Sequence, residues 1–462
     1  MIKTYLSRYG ADEKWISTPV SREGIENVVV IPALAESSTI FHTLKSLAAN
    51  PPRELKRTIV LVVVNNREKK FLGPGEWEDN RRTLLVLRDL AAGVAPSGGL
   101  LDPSSETAAK SLPGLLNLAV VDASSPGLEL PEKTGGVGLA RKIGLDRALG
   151  MLSPQGEGKG LLFSLDADTL VERDYLSSVR SFFRKRSPGA GVIHFRHSRS
   201  GDEEEKRAIV CYEIFLRYYV LGLKSARSPY AFHTIGSTMV FTPDAYVAVR
   251  GMNRRKGGED FYFLNKLAKV TAIGDIGSTT VYPSPRRSGR VPFGTGRSML
   301  RFLEEERNEY VLYHPRVFSL LNSWLRVVYE NPGENERTLL AMAGEIHPAV
   351  RTFLEEKGFP AAWGKIRQNA KGDRQLLQQF HGWFDGFKTF KLIRFLSGEA
   401  CPPAFMFKAL ESLFREFEAP FPFFPGDSSI PPLEKQEEIL AAMEMLEENL
   451  LIPAQSSCYI YH

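Results

Sequence analysis

The stretch GLLFSLDADTLV, residues Gly160–Val171, decides the fold that the sequence predicts. A short apolar run between glycine and a charged helical segment is typical of a buried strand in a parallel sheet. Asp166 and Asp168 follow this run, with one residue between them. Because open α/β sheets form their ligand crevice at the carboxyl ends of the strands, we expect both carboxylates at a ligand site.

Two neighbouring carboxylates at a strand end repel each other unless positive charge lies close to them. A hard divalent cation meets this need, since it binds one or two carboxylates and takes its other ligands from phosphate and water. The pair also fits a simpler interpretation, an acidic turn in which Asp166 and Asp168 only cap the helix that follows. The triplet alone leaves both interpretations open.

Composition narrows the class of protein. A chain of 462 residues predicts about two or three domains, and a formal charge of +5 gives no support to a dedicated nucleic-acid binder. Cys211, Cys401 and Cys458 are far apart, which argues against a zinc site or a disulfide framework and fits a reducing compartment. The sequence has neither a signal-peptide core nor an apolar run of spanning length. We therefore expect a soluble, cytoplasmic protein.

The first half of the chain alternates strands and helices. Asn27–Ala33 and Thr58–Val64 are β-branched runs separated by the amphipathic segment Thr39–Ala49, which predicts a βαβ unit with parallel strands. Leu115–Asp122 is a third predicted strand. The Gly-, Ser- and Pro-rich segment Gly93–Gly114 predicts a surface loop or insertion.

The second half changes character. Thr234–Thr242 is a further predicted strand, and Asp202–Lys224 a long helix whose aromatic face we expect in the core. From residue 297 the pattern is helical. We therefore predict an α/β domain over residues 1–296, with a nucleotide half (25–170) and an acceptor half (171–296), followed by a helical C-terminal region (297–462).

Four motifs, in this order along the chain, carry a resemblance to a known family: VVVIPALAE (Val28–Glu36), GGVGLARKIGLDRAL (Gly135–Leu149), SLDADTLVERDYL (Ser164–Leu176) and GMNRRKGGEDFYFLNKL (Gly251–Leu267). They resemble the first strand, the G-x-x-x-A-R-N-x-G helix, the D-x-D segment and the E-D helix start of nucleotide-sugar glycosyltransferases of GT-A fold. Family 2 is the closest of these. The resemblance implies a Rossmann-like, mostly parallel sheet with helices on both faces, and a hexosyltransferase-like activity.

The resemblance also implies a donor site. Asp168 corresponds to the family's ligand for Mg²⁺ or Mn²⁺, and Asp166 to a second acidic residue that faces the ribose or nucleobase and can join the metal. Arg141 corresponds to an arginine near the nucleotide or pyrophosphate, although a solvent-exposed helix arginine fits the sequence as well.

The ends of the first two predicted strands supply the rest of the nucleotide contacts. By resemblance Pro32 and Ala33 line the nucleotide, and Glu36 accepts a hydrogen bond from the base or ribose. Asn65 and Asn66 stand where the family often has an aspartate, so the identity of the base stays open.

Asp260 is the expected general base, with Glu259 beside it. An inverting transfer needs a carboxylate opposite the leaving group to take the proton of the acceptor hydroxyl. Both residues begin a predicted helix, where the helix dipole favours negative charge. Ordinary acidic residues of a first helical turn are the alternative, and retaining enzymes also occur on this fold.

The segment Pro283–Gly296 interleaves Arg286, Arg287 and Arg290 with glycines and small residues. Arginine suits bidentate contact with phosphate, so Arg286 and Arg290 are candidate donor-binding residues on a loop that closes over the diphosphate. A solvated basic loop is the alternative. His233 is a candidate additional metal ligand, although an ordinary structural histidine fits it as well.

The sequence thus predicts a metal-dependent transferase that moves a sugar from a nucleotide-diphosphate sugar to a hydroxyl acceptor with inversion. The predicted partners are the nucleotide-sugar and the hydroxyl-bearing acceptor, and nucleic acid is not among them. Contact with a membrane surface and a homo-oligomer through the helical region are left open. Two other functions remain in competition: a nucleotidyltransferase that makes the nucleotide-sugar, and a non-catalytic binding module of glycosyltransferase type. The missing glycine-rich basic loop after the first strand argues against the nucleotidyltransferase.

Overall fold

The structure is a computed structural model that describes residues 1–67, 73, 75–152, 160–290, 293–422 and 429–450. Cys458 and the end of the predicted C-terminal region lie outside the described residues. The strands are β1 (Asn27–Ala33), β2 (Thr58–Asn65), β3 (Asn117–Ala123), β4 (Leu161–Ser164), β5 (Thr169–Val171), β6 (Ala190–Phe195), β7 (Met239–Phe241), β8 (Ile273–Pro283), β9 (Val311–Leu312) and β10 (Ala404–Phe405).

The helices, in chain order, are α1 (Ile2–Tyr9), α2 (Ile40–Ala48), α3 (Pro52–Leu55), α4 (Glu76–Ala91), α5 (Pro103–Lys110), α6 (Val137–Leu149), α7 (Tyr175–Arg186), α8 (Glu203–Ser225), α9 (Pro243–Ala248), α10 (Glu259–Leu267), α11 (Thr295–Leu303), α12 (Arg316–Glu330), α13 (Glu336–Ile346), α14 (Pro348–Glu356), α15 (Phe359–Asn369), α16 (Asp373–Trp383), α17 (Gly386–Glu399), α18 (Met406–Glu416) and α19 (Leu433–Asn449). None of the helices described is long and apolar enough to cross a membrane.

The chain divides into two compact units. The first comprises Met1–Ser198, Thr234–Pro285 and Arg290–Gly294. The second comprises Arg199–His233, Arg286–Gly289 and the described residues from Thr295 onward. The first unit contains the sheet, and the second is helical apart from the short pair β9 and β10.

The sheet of the first unit has the order β3-β2-β1-β4-β7-β6-β8-β5. The pairs β1–β2, β2–β3, β1–β4 and β6–β8 are parallel, whereas β7 runs antiparallel to both of its neighbours and β5 antiparallel to β8. The expected fold class is therefore confirmed: a mostly parallel α/β sheet accompanied by a helical C-terminal region.

Buried β-branched residues explain why the centre of this sheet forms. Every residue of β1 and β2 is buried, and their register pairs Val30 with Leu61. Helix α6 packs closely on these strands because Gly144 lacks a side chain: a methyl group added there would lie 2.3 Å from the Cγ1 atom of Val30. The predicted βαβ unit and its parallel strands are confirmed.

Two predicted segments differ from the structure. Within Thr234–Thr242 only Met239–Phe241 is a strand, because Gly236–Thr238 forms a 3₁₀ turn instead. The predicted loop Gly93–Gly114 contains helix α5. The Asp102 carboxylate starts this helix by accepting hydrogen bonds from the backbone N–H groups of Ser104 and Ser105, each at 3.0 Å.

The core of the second unit forms around helix α8. Tyr218 is fully buried, and Phe215 and Tyr219 pack against the same apolar cluster, so the predicted burial of this aromatic face is confirmed. Trp324 from α12 and Trp363 from α15 are among the largest side chains in the cluster, and both are fully buried. The second unit therefore has a hydrophobic core of its own.

Candidate donor and acceptor site

The D-x-D segment lies at the carboxyl end of β4, where the sequence predicts it. The backbone N–H of Thr169 hydrogen-bonds to the carbonyl of Asp166 at 3.2 Å, which makes a tight turn between β4 and β5. Asp166 and Asp168 are both partly exposed, whereas Ala167 between them is buried. The turn therefore holds two carboxylates at the edge of the sheet and within reach of solvent.

Arg141 organises the residues around this turn. Its side chain is only 3% exposed. The guanidinium donates from Nε to Glu259 Oε1 at 3.0 Å and from Nη1 to Ser164 Oγ at 2.6 Å, and its Nη2 forms an ion pair with Asp166. Burial lowers the pKa of Arg141, but the carboxylates of Asp166 and Glu259 more than offset this and raise it. Arg141 is thus a buried, permanently charged link between three segments of the chain.

The backbone around Arg141 is shaped to leave room for it. A methyl group added at Gly236 would lie 2.2 Å from Nη2 of Arg141, so a larger residue there would have to displace the guanidinium. At Gly138, in the same helix, a methyl group would lie 2.4 Å from the carbonyl oxygen of Arg255. Both close approaches bring the loop before α10 and the 3₁₀ turn next to helix α6.

Glu259 and Asp260 begin helix α10. Gly258, just before them, has a positive φ of 65° and turns the chain into the helix. The Asp260 carboxylate accepts a hydrogen bond from the backbone N–H of Phe261 at 2.7 Å. Burial and the neighbouring Glu259 carboxylate raise the pKa of Asp260 to about 8, against the opposing influence of that hydrogen bond and of Arg141. Asp260 is therefore suited to exchange a proton near neutral pH.

The end of β1 forms a second group of polar contacts. Ala35 has a positive φ of 51°, and its N–H donates to Asn80 Oδ1 at 2.8 Å. The amide nitrogen of Asn80 donates in turn to the carbonyl of Asn65 at 3.1 Å and to the side-chain oxygen of Asn66. Asn66 also donates to the carbonyl of Ser124 at 3.1 Å. These contacts fix the loops that follow β1 and β2.

The candidate nucleotide-binding residues of β1 and β2 are largely buried. Pro32 and Ala33 pair with Val63 and Val64 inside the sheet. Asn65 is 4% exposed and Asn66 only 1%. Their roles stay predictions.

Glu36 and Arg290, although 254 positions apart, form an ion pair in which Nη1 lies 2.9 Å from Oε1. The other Glu36 oxygen accepts from Thr39 Oγ1 at 2.9 Å, and Arg290 Nε lies 3.5 Å from Glu76 Oε1. Glu36 is buried, whereas the Arg290 side chain is 31% exposed. The structure thus joins two of the candidate donor-binding residues.

Arg286 and His233 belong to the second unit. The ring atom Nε2 of His233 lies 2.8 Å from Glu447 Oε1. Burial raises the pKa of Glu447, but His233 and Arg217 outweigh it and hold this pKa at about 2. The roles of Arg286 in donor binding and of His233 in metal binding stay predictions.

A divalent cation fits the chemistry of the D-x-D turn. Asp166 and Asp168 carry hard carboxylate oxygens at a partly exposed edge, the ligand type that Mg²⁺ and Mn²⁺ prefer. In the part of the chain that the structure describes, no cluster of three or more His, Cys, Asp or Glu side chains is placed to hold a metal ion.

Two contributors to this region were missed from the sequence. Ser164 accepts from Arg141, and Asn80 links the loops after β1 and β2. Ser164 carried a signal, since it is a polar residue at the end of an apolar run just before the D-x-D segment. Asn80 carried none, because one asparagine in a charged helical segment resembles any surface residue.

Comparison with known proteins adds little to this geometry. No family model and no curated protein match the sequence. Among solved structures, residues 1–349 of TarS from S. aureus in complex with UDP-GlcNAc share 14% identity over 92% of both chains, with a TM-score of 0.36. The mannosyltransferase PcManGT from Pyrobaculum calidifontis, in complex with GDP-Man and Mn²⁺, shares 14% identity over 86% of this chain and 90% of its own, also with a TM-score of 0.36.

A further structure, GalNAc-T7 with UDP, GalNAc and Mn²⁺, shares 15% identity over 71% of this chain and 55% of its own, with a TM-score of 0.33. Similarities with TM-scores this low carry no argument about activity. The case for a function therefore depends on the residues of the chain itself.

Proposed function

We propose that this protein is a metal-dependent glycosyltransferase that transfers a sugar from a nucleotide-diphosphate sugar to a hydroxyl acceptor with inversion. One observation carries the proposal: the buried Arg141 holds Asp166 of the D-x-D turn and Glu259 at the start of α10 in one network. The motif proposed for the donor and the motif proposed for the acceptor thus meet at the carboxyl edge of the sheet, where α/β sheets bind their ligands.

Each residue has a distinct role in this proposal. Asp260 takes the proton of the acceptor hydroxyl as the oxygen attacks the sugar, and a pKa raised to about 8 matches this task. Arg141 and Glu259 hold the base and the D-x-D turn in fixed relation. When bound by Asp168 and Asp166, the cation supplies Lewis-acid neutralisation of the departing diphosphate.

Glu36 and Arg290 have a role at the nucleotide. Glu36 accepts a hydrogen bond from the ribose or base, and Arg290 contacts phosphate. Since these two side chains bind each other in the structure, donor binding exchanges part of their ion pair for contacts with the nucleotide. The Arg290 side chain is 31% exposed, and arginine suits bidentate contact with phosphate.

A thermal-shift panel tests the proposal. UDP, GDP, CDP and ADP are each added with and without Mn²⁺ or Mg²⁺. We expect one diphosphate to stabilise the chain only with metal, by about 2.7 kcal/mol at a hundredfold excess over Kd. Asp168→Ala should abolish this shift, whereas Asp373→Ala, which removes an exposed carboxylate from the second unit, should keep it. If no nucleotide stabilises the chain, the donor site is refuted.

A further inference from the structure

A cavity of about 660 Å³ lies at the end of the eight-stranded sheet opposite to the D-x-D turn. Asn27 and Leu161, which begin β1 and β4, line it, as does Gly189 just before β6. Thr242 also lines it directly after the antiparallel β7. The cavity is therefore at the amino edge of the parallel strands, away from the D-x-D turn that follows the carboxyl end of β4.

Arginines dominate the charge of this cavity. Arg53, Arg57, Arg180 and Arg184 line it, and the carboxylates in its lining are those of Glu26 and Asp244. Glu54, although not part of the lining, also pairs with Arg180, so four guanidinium groups are set against three carboxylates and a smaller excess of positive charge remains. A cavity of this size and charge is suited to an anion of small-molecule dimensions.

The four arginines fall into two pairs. Arg57 and Arg180 are held by carboxylates: Arg57 Nη1 lies 2.9 Å from Glu26 Oε1, and Arg180 binds Glu26 at 3.2 Å and Glu54 at 2.6 Å. These ion pairs fix the wall of the cavity. They also leave less of the two guanidinium charges for a ligand.

The second pair is differently placed. Arg53 and Arg184 are exposed and form no ion pair with a carboxylate in the part of the chain that the structure describes. They come from two different helices, α3 and α7, that border the same cavity. Arginine suits bidentate contact with phosphate oxygens, so two arginines that line one volume favour a phosphate ligand.

The remaining lining residues are mostly apolar and indicate that the ligand has an apolar portion. Phe183, Pro188, Ala245 and Val270 contribute apolar surface, and Thr271 contributes a hydroxyl group that already accepts a hydrogen bond from the N–H of Gly189 at 3.0 Å. A free inorganic ion would leave this apolar surface in contact with water. A phosphate ester with an apolar portion would cover it.

We propose that this cavity is a second binding site, separate from the donor site, which takes a small phosphate monoester through Arg53 and Arg184 and packs the apolar part of that ligand against Phe183 and Val270. The site needs no metal, because the arginines themselves supply the positive charge. Its position at the amino edge of the strands separates it from the D-x-D turn, so both sites can be filled at once.

The test is a ³¹P NMR titration of the full chain with phenyl phosphate in buffer containing EDTA, so that no metal-dependent site is filled. We expect saturable binding that Arg53→Glu combined with Arg184→Glu weakens by about tenfold or more. The matched control combines Lys56→Glu and Lys185→Glu, which make the same charge change beside α3 and in α7 at exposed positions outside the cavity. The control should bind as the unaltered chain does.

Two comparisons make the result decisive. Arg53→Gln combined with Arg184→Gln, which removes charge without reversing it, should give an intermediate affinity, and circular dichroism verifies that each variant is folded. Asp168→Ala should leave phenyl phosphate binding unchanged. The proposal is overturned if the unaltered chain does not bind, if both charge-reversed pairs lose affinity equally, or if Asp168→Ala abolishes binding and so places the anion at the donor site.

Discussion

Each of the two units contains a buried arginine surrounded by carboxylates, and the two networks differ in their access to solvent. In the first unit Arg141 binds Glu259 and Asp166. In the second unit Arg217, which is fully buried, binds Glu213 and Glu444 at 3.0 and 3.1 Å and also Glu447. In both, burial lowers the pKa of the arginine and the carboxylates raise it further than burial lowers it.

The carboxylates that bind the two arginines differ in their exposure to solvent. The Asp166 side chain is 33% exposed, whereas the side chains of Glu213, Glu444 and Glu447 are 0%, 7% and 8% exposed. A network that ends in a solvent-reachable carboxylate can exchange a partner for a ligand. We call the Arg141 network open and the Arg217 network closed, because the carboxylates that bind Arg217 are at most 8% exposed. The two networks therefore differ in whether a partly exposed carboxylate is among the partners of the arginine.

The largest effect should come from Asp260, the proposed general base next to Glu259 of the open network. If Asp260 accepts the acceptor proton, Asp260→Asn should lower kcat by about 10²–10⁴-fold, because an amide cannot take up the proton. Turnover of the donor that stabilises the chain would be measured with saturating metal. Glu447→Gln, the matched change in the closed network, should leave kcat per folded molecule unaltered. Equal losses in both variants would remove the distinction between the networks.

The next effect concerns the closed network. Arg217→Ala should lower the free energy of unfolding by about 3–5 kcal/mol, because it leaves buried carboxylates without their counter-charge. Urea denaturation followed by circular dichroism measures it. Arg326→Ala breaks an exposed ion pair with Glu330 and should cost no more than about 1 kcal/mol. A small effect of Arg217→Ala would show that the closed network adds nothing to stability.

A smaller effect should follow from removing one hydrogen bond of the open network. Ser164→Ala takes away the oxygen that accepts from Nη1 of Arg141 at 2.6 Å. We expect a loss of about 1.5–3 kcal/mol in the free energy of unfolding, as for hydrogen bonds to charged groups. Ser177→Ala, in which a partly exposed serine loses a bond to the carbonyl of Asp174, serves as the control. Unchanged stability in Ser164→Ala would mean that Arg141 does not need this partner.

The pH dependence of stability should distinguish the two networks, because the pKa shifts of Asp260 and Glu447 have opposite signs. The pKa of Asp260 is about 8 in the folded chain and near 3.8 when unfolded, so its contribution is fully present below pH 3.8 and is lost as pH rises toward 8. The contribution of Glu447 to stability depends on pH in the opposite direction. Its folded pKa of about 2 lies below the ordinary 4.5, so its contribution is present above pH 4.5 and is lost as pH falls toward 2.

Urea denaturation at a series of pH values separates these two contributions. Asp260→Asn should flatten the decline in stability between pH 4 and 8, and Glu447→Gln should flatten the decline below pH 4.5. A profile of Asp260→Asn that still declines from pH 4 to 8 as steeply as that of the unaltered chain would show that Asp260 is not the group that titrates there.

The sequence predicts the strands and the D-x-D turn because their signals are local. The valine-rich run Asn27–Ala33 and the apolar run before Asp166 each reveal a buried strand from a few neighbouring residues. Helix α5 also had a local signal, an Asp102-Pro103 start, although the glycines and prolines around it suggested a loop. Local patterns therefore account for most of the first unit.

The contacts between residues of the candidate site could not be predicted from local sequence patterns. Arg141 and Glu259 are 118 positions apart, and Glu36 and Arg290 are 254 apart, so no spacing rule pairs them. Nor did the sequence indicate that α8 belongs to the same compact unit as the C-terminal helices. Its aromatic face predicts burial but does not name the surface that covers it.

The most direct test of the central claim, that the open network at the carboxyl edge of the sheet binds a metal–nucleotide donor, is the electron paramagnetic resonance of Mn²⁺ mixed with the chain and the stabilising nucleoside diphosphate. We predict that one Mn²⁺ per chain loses its free-ion signal only when the diphosphate is present, and that Asp168→Ala restores the signal expected for Mn²⁺ and diphosphate without protein. Equal binding of Mn²⁺ by Asp168→Ala, or no binding by the unaltered chain, would contradict the account.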